Sequence, residues 1–275
     1  MEQVTRKLIC TYTHTCTHIS NNYIHFNRLG KTTLLSNILT KDTSGKKFAV
    51  IVNDLSELNI DEKLIIPHIK KQDEQLIELS NGCICCTLRE DLLREVANLA
   101  LQNRFDYLLI ESTGISEPLP VAETFTFDFI SNLEASDGSA SLNQSLVDLA
   151  VIDNMVTVVD AFNFLRHMQE AEDLASLNMQ AEEGDTRTIT DLLVSQIEFA
   201  NVIVLNKIDM VDRDTVVQIK KTIRALNGDA KIIEATRSDV ALSEIIDTGN
   251  YDFDKVSNSP TWIKAMNENA HNEKV

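Results

Sequence analysis

Leu29-Gly30-Lys31-Thr32-Thr33-Leu34-Leu35 carries a Gly-Lys-Thr tripeptide straight into an apolar, helix-compatible segment. The arrangement matches the second half of a phosphate-binding loop. In the complete loop, G-x-x-x-x-G-K-[ST], backbone N–H groups wrap the phosphates, the lysine reaches the terminal ones and the hydroxyl ligates magnesium. Here His25 stands at the first glycine position. The tripeptide recurs by chance in many proteins, so its weight depends on the segments downstream and their distances from it.

Those segments are apolar runs, each ending in reactive residues. Phe48-Ala49-Val50-Ile51-Val52 is a buried strand that ends in Asn53-Asp54 and leads into an acidic loop containing Glu57. Tyr107-Leu108-Leu109-Ile110 runs into Glu111-Ser112-Thr113-Gly114. A carboxylate at such a strand tip sits where phosphate-transfer sites keep their magnesium shell, and Gly114 lets backbone approach a terminal phosphate. Residues 155–160 form the next strand, and residues 201–205 lead into Asn206-Lys207-Ile208-Asp209. There the Asp209 carboxylate can accept both the ring N–H and the exocyclic amine of guanine, a pairing that adenine lacks and whose loss costs about 1 to 3 kcal/mol. The aliphatic part of Lys207 can cover the base plane, and Ala235-Thr236, after a strand at 231–233, can supply the last backbone donor to the base. Helices are expected at 90–102, 162–168, 191–199 and 215–226.

Gly82-Cys83-Ile84-Cys85-Cys86 places three thiols within four positions. An apolar run precedes it, and Thr87 with Glu90 three residues on reads as a capping box, so the thiols occupy a strand-to-helix loop. Thiolates favour zinc or copper(I), and Cys83, Cys85 and Cys86 can supply three of the four bonds of a tetrahedral zinc site. Three reduced, partly buried thiols are the plain alternative. A redox switch through Cys85-Cys86 is disfavoured, because adjacent cysteines form strained bridges.

A net charge of -17 and a pI near 4.7 argue against nucleic acid or an anionic membrane as partner, since phosphates would be repelled. Aromatics make up only 5% against 43% apolar residues, which points to an aliphatic core of strands covered on both faces. Five cysteines, three of them in one loop, do not resemble a secreted disulfide framework. With no apolar run of membrane-spanning length, the expected setting is cytoplasmic.

Residues 1–28 read as a divergent or disordered leader. Within it, Thr11-Tyr12-Thr13-His14-Thr15-Cys16-Thr17-His18 alternates with period two and would form an exposed strand, with His14, Cys16 and His18 on one face.

With Gly-Lys-Thr-Thr, Val-Asn-Asp-x-x-Glu, Gly-Cys-Ile-Cys-Cys, Glu-Ser-Thr-Gly and Asn-Lys-Ile-Asp in this order, the chain resembles the CobW-type GTPases, relatives of the nickel chaperones of urease and hydrogenase. The resemblance implies an α/β P-loop NTPase, a mostly parallel sheet with helices on both faces, spanning 29–245 and followed by a truncated C-terminal tail at 246–275. It implies GTP hydrolysis with Mg2+, coupled to passing zinc to a client metalloprotein, and a nucleotide-dependent homodimer is a further expectation. By position, Gly30, Lys31, Thr32 and Thr33 serve the phosphates, and Thr32 and Glu111 serve magnesium. Lys31, Glu111 and Gly114 form the catalytic set. Asn206, Lys207, Asp209 and Ala235 serve guanine, and Cys83, Cys85 and Cys86, with Glu57 as an added ligand, serve zinc.

The chain departs from the family pattern where His25, Asn27, Arg28 and Leu29 replace a Gly-x-x-Gly stretch. Side chains there obstruct backbone approach to phosphate, and a positive φ costs a non-glycine residue about 1 to 2 kcal/mol. This motivates an alternative reading, a metal-binding protein with impaired or absent turnover.

Overall fold

Short apolar runs without polar alternation become parallel strands when helices cover both of their faces. The computed structural model describes residues 6–13, 30–52, 75–78, 96, 98–99, 102, 104–112, 118–119, 122, 150–169 and 188–258. Among them, β1 (Arg6–Thr13), β2 (Phe48–Val52), β3 (Gln75–Glu78), β4 (Tyr107–Glu111), β5 (Ala150–Asp160), β6 (Val202–Asn206) and β7 (Lys231–Glu234) form one sheet. The strand order is β3-β2-β4-β1-β5-β6-β7, and every pairing is parallel.

Side chains alternate between two cores. Phe48, Val50, Tyr107, Leu109, Val202 and Val204 meet Leu34, Leu35, Ile38 and Leu39 of α1 (Lys31–Lys41) on one face. Ala49, Ile51, Leu108 and Ile110 point the other way, toward Val96 and Leu99. Also on that opposite face, Ile203 and Leu205 pack on Leu193 and Ile197, and on Val216, Ile219 and Ile223. Leu34, Leu35 and Ile38 are fully buried, which stabilises the sandwich by about 1.5 to 3 kcal/mol per side chain. The expected sheet with helices on both faces is therefore what the chain forms.

Further helices among the described residues include α2 (Phe164–Gln169), α3 (Ile189–Glu198), α4 (Arg213–Leu226) and α5 (Phe253–Ser257). Their starts are set by local chemistry. Thr188 and Asp191 form a capping box on α3, Asp212 accepts the Thr215 N–H at 2.7 Å on α4, and Asp252 caps α5. By contrast, α1 has no side-chain cap and no acidic residue in its first turn, so the positive end of its dipole is left uncompensated by the helix itself.

Two strands depart from the sequence reading. Arg6–Thr13, inside the stretch read as leader, is β1, hydrogen-bonded between β4 and β5 in the middle of the sheet. Residues 6–13 therefore belong to the sheet, and His14, Cys16 and His18 fall outside the described residues. The second departure is β5, which begins at Ala150 rather than at 155, with the polar pair Asp153-Asn154 buried inside it. Asp153 accepts the N–H groups of Thr248 (3.1 Å) and Gly249 (2.7 Å) and the Tyr107 hydroxyl, while Asn154 donates to the Ile245 carbonyl at 3.2 Å. These bonds let a carboxylate and an amide sit in a strand core. Among the described residues, no helix is long and apolar enough to cross a membrane.

Candidate nucleotide site

A parallel sheet delivers the carboxyl ends of all its strands to one edge, where α/β folds bind ligands. At that edge lie Glu111 at the tip of β4, Asp160 at the tip of β5, and Asn206 and Lys207 at the tip of β6. The α1 N-terminus opens there as well, because Lys31 Nζ stands 3.7 Å from Glu111 Oε1. Glu111 is 2% exposed and Lys31 12%. Thr32 is buried as the second residue of α1, and Thr33 faces solvent. The sequence-predicted phosphate and magnesium residues are thus brought into one corner.

Gly30 caps α1 with φ +106°, a conformation suited to glycine, and it has a second reason to be glycine. A Cβ there would lie 2.3 Å from Asn206 Nδ2 and 2.4 Å from Ser238 Oγ. The start of α1 is therefore packed directly against the asparagine of the Asn-Lys-x-Asp run. Ser238 completes the junction: its N–H donates to Asn206 Oδ1 at 2.8 Å and its hydroxyl donates to the Gly30 carbonyl at 2.8 Å.

At the other corner, Lys207 leaves β6 in the left-handed region (φ 61°) and starts the 3-10 turn Ile208–Met210, which presents Asp209 to solvent. The Lys207 ammonium donates to Asp160 Oδ2 at 2.7 Å, and Asp160 also accepts the Phe162 N–H (3.0 Å) and the Asn163 amide (2.9 Å). Expected to serve only as a cover for the base plane, Lys207 is also an anchor to the neighbouring strand. One expected role is corrected. The Ala235 N–H donates to the Leu205 carbonyl at 2.9 Å within the sheet, so it is engaged and cannot serve the base. The exposed Thr236 comes next in the chain.

Behind Asp160, His167 on α2 is 1% exposed, and burial together with the nearby Arg166 charge lowers its pKa to about 4, against a smaller opposing pull from Asp160. It is held neutral.

Cys83, Cys85, Cys86, Glu57 and Gly114 lie outside the described residues, as do His25, Asn27 and Arg28. Among the described residues, no group of three or more His, Cys, Asp or Glu is placed to hold a metal ion. Asp160 and Ser238 were not singled out in the sequence. An aspartate at the end of an apolar strand was the available signal for the first, and the turn-forming Thr236-Arg237-Ser238-Asp239 run after β7 was the signal for the second.

A parallel sheet whose first helix opens on Gly-Lys-Thr with no side-chain cap, beside a strand tipped by Asn-Lys-x-Asp, is the architecture of a P-loop NTPase. The profile described as "CobW/HypB/UreG, nucleotide-binding domain" matches residues 29–234, and the chain belongs to that family. Among its relatives, "Zinc-regulated GTPase metalloprotein activator 1" of Dictyostelium discoideum is 49% identical over 246 residues, covering 86% of this chain and 50% of that protein. The protein of the same name in Schizosaccharomyces pombe is 29% identical, covering 87% of this chain and 51% of its own length. "Zinc chaperone CobW" of Pseudomonas aeruginosa is 28% identical, over 79% and 56% respectively. The chain spans about half the length of the curated relatives it matches. Hydrogenase maturation factor HypB of Archaeoglobus fulgidus aligns in three dimensions over 86% of this chain and 83% of its own, with a TM-score of 0.45 and 15% identity.

Proposed function

We propose that this chain binds and hydrolyses GTP and couples the nucleotide state to zinc held at Cys83, Cys85 and Cys86, with Glu57 as an added ligand, for delivery to a client metalloprotein. The observation that carries the nucleotide half is the contact at Gly30. No Cβ fits between it and Asn206 or Ser238, so the phosphate corner and the guanine corner are one packed unit. The phosphates would lie over the N-terminus of α1, where Lys31 and the first N–H groups meet them. Guanine would lie against Lys207, with Asp209 accepting from its edge and, of the Ala235-Thr236 pair, the Thr236 N–H serving as the last backbone donor.

Thr32 and Glu111 form a donor set that suits magnesium: a hydroxyl and a buried carboxylate, both hard oxygen ligands. When bound, the ion would offset charge on the β- and γ-phosphates. Lys31, 3.7 Å from Glu111, places a second positive charge beside the same carboxylate. The names of the relatives, a zinc-regulated metalloprotein activator and a zinc chaperone, support zinc and a client for this chain.

Topology suggests where the coupling would enter. The thiols come after β3, which lies two strands from β4 and five from β6. At about 4.8 Å per strand, the β3 end is roughly 10 Å from the Glu111 strand and roughly 24 Å from the guanine strand. Zinc would therefore sense the phosphate end of the nucleotide. Calorimetric titration of GTP and ATP, followed by a GTP hydrolysis assay, tests the reading. It predicts GTP binding at least about a hundredfold tighter than ATP binding. Equal affinities would contradict it.

A further inference from the structure

We infer that Ser238 is a positioning residue that aims the Lys31 N–H at the nucleotide phosphates, an inference resting on the nucleotide reading above. Ser238 is fully buried, and all three of its polar groups are engaged across the junction. Its N–H goes to Asn206 Oδ1 (2.8 Å), its hydroxyl goes to the Gly30 carbonyl (2.8 Å), and its carbonyl accepts from Asn37 Nδ2 on α1 (2.9 Å). The Arg237 carbonyl accepts from the same amide at 3.1 Å.

The backbone makes this placement costly. Arg237 and Ser238 are consecutive non-glycine residues in the left-handed region, at φ 53° and 51°. Such backbone persists where the surroundings over-determine it, as they do here. Glycine would adopt φ 51° freely, yet the chain has serine, and what serine adds is the hydroxyl.

That hydroxyl acts on one peptide plane. The Gly30 carbonyl is held both by Ser238 Oγ and by the Leu34 N–H at 2.8 Å. In a trans peptide the Lys31 N–H points opposite to the Gly30 carbonyl, so fixing one fixes the other. The Lys31 N–H belongs to the first helical residue, has no intrahelical acceptor, and is one of the donors that greet an anion. Because Ser238 also holds Asn206, the residue before Lys207, guanine seating and phosphate seating share one serine.

The test uses the full 275-residue chain and Ser238→Gly, with Ser238→Ala alongside. Glycine relieves the left-handed backbone while removing the hydroxyl, so thermal stability is retained or raised. The expected result is GDP affinity about tenfold weaker in both variants by calorimetry. GMP affinity, read by competition against a fluorescent guanine nucleotide, stays within about twofold of wild type. A merely structural serine would change the melting temperature and leave the GDP-to-GMP ratio alone. The inference is overturned if Ser238→Gly binds GDP as wild type does, or if GDP and GMP weaken equally. A wild-type chain that binds no GDP overturns the nucleotide reading itself, and the inference with it.

Discussion

The Lys207 ammonium lies 2.7 Å from the Asp160 carboxylate, so the left-handed turn after β6 is pinned to the tip of β5. Asp160 is 2% exposed and accepts from three donors, which places most of its value in order rather than in surface charge. Asp160→Ala should destabilise the fold by about 3 kcal/mol in urea unfolding, because it leaves the Phe162 N–H, the Asn163 amide and Lys207 without their acceptor. It should also weaken GTP binding, since Asp209 lies two residues beyond Lys207. A loss below about 1 kcal/mol would show that the pair contributes little.

Gly30→Ala meets two obstacles, the φ of +106° and the contacts at 2.3 and 2.4 Å. The expected cost is at least about 2 kcal/mol in stability, together with loss of GTP binding. Crystallography or chemical-shift mapping of the variant should find Asn206 and Ser238 displaced. A variant with wild-type stability and GTP affinity would refute the packed junction.

Asp209 is exposed on its 3-10 turn, so Asp209→Ala should leave the melting temperature within about 2 °C of wild type. GTP affinity should fall about a hundredfold or more, since two hydrogen bonds to a charged acceptor are lost. ATP affinity should not change. A uniform loss for both nucleotides would argue against base recognition by this carboxylate.

His167 carries a pH dependence whose sign is set by its burial. Its pKa is about 6.5 when unfolded and about 4 in the fold, so between those values the unfolded chain binds more protons. Its contribution to stability is complete above pH 6.5 and falls as pH drops toward 4, by up to about 3 kcal/mol. Wild type should therefore lose more stability than His167→Gln between pH 7 and pH 5, as measured by urea unfolding at each pH. Equal losses would place the proton elsewhere.

Much of the sheet is legible because fully buried strands read as unbroken apolar runs: Phe48–Val52 is where the sequence places it, and β6 begins within one residue of its run. The elements that escape have buried polar groups matched only in three dimensions. Asp153 and Asn154 look like a turn until the Gly249 N–H and the Ile245 carbonyl arrive from nearly a hundred residues away. Arg6–Thr13 merges into a threonine- and histidine-rich repeat that hides its end, and only pairing with β4 and β5 shows it to be a strand. At the site, Gly30, Lys31, Glu111 and Asn206 are legible from motif spacing. Asp160 and Ser238 make contacts that no local spacing encodes, and within the Ala235-Thr236 pair the sequence does not tell which N–H the sheet engages, because that depends on whether the strand pairing continues by one residue.

The central claim, that nucleotide and zinc are felt by one scaffold, is tested most directly by titrating zinc into the full chain with and without a non-hydrolysable GTP analogue. The analogue should shift the zinc dissociation constant by at least about fivefold, zinc should shift the analogue's affinity by the same factor, and both shifts should vanish when Cys83, Cys85 and Cys86 are replaced by serine. An identical zinc dissociation constant in both titrations would contradict the claim.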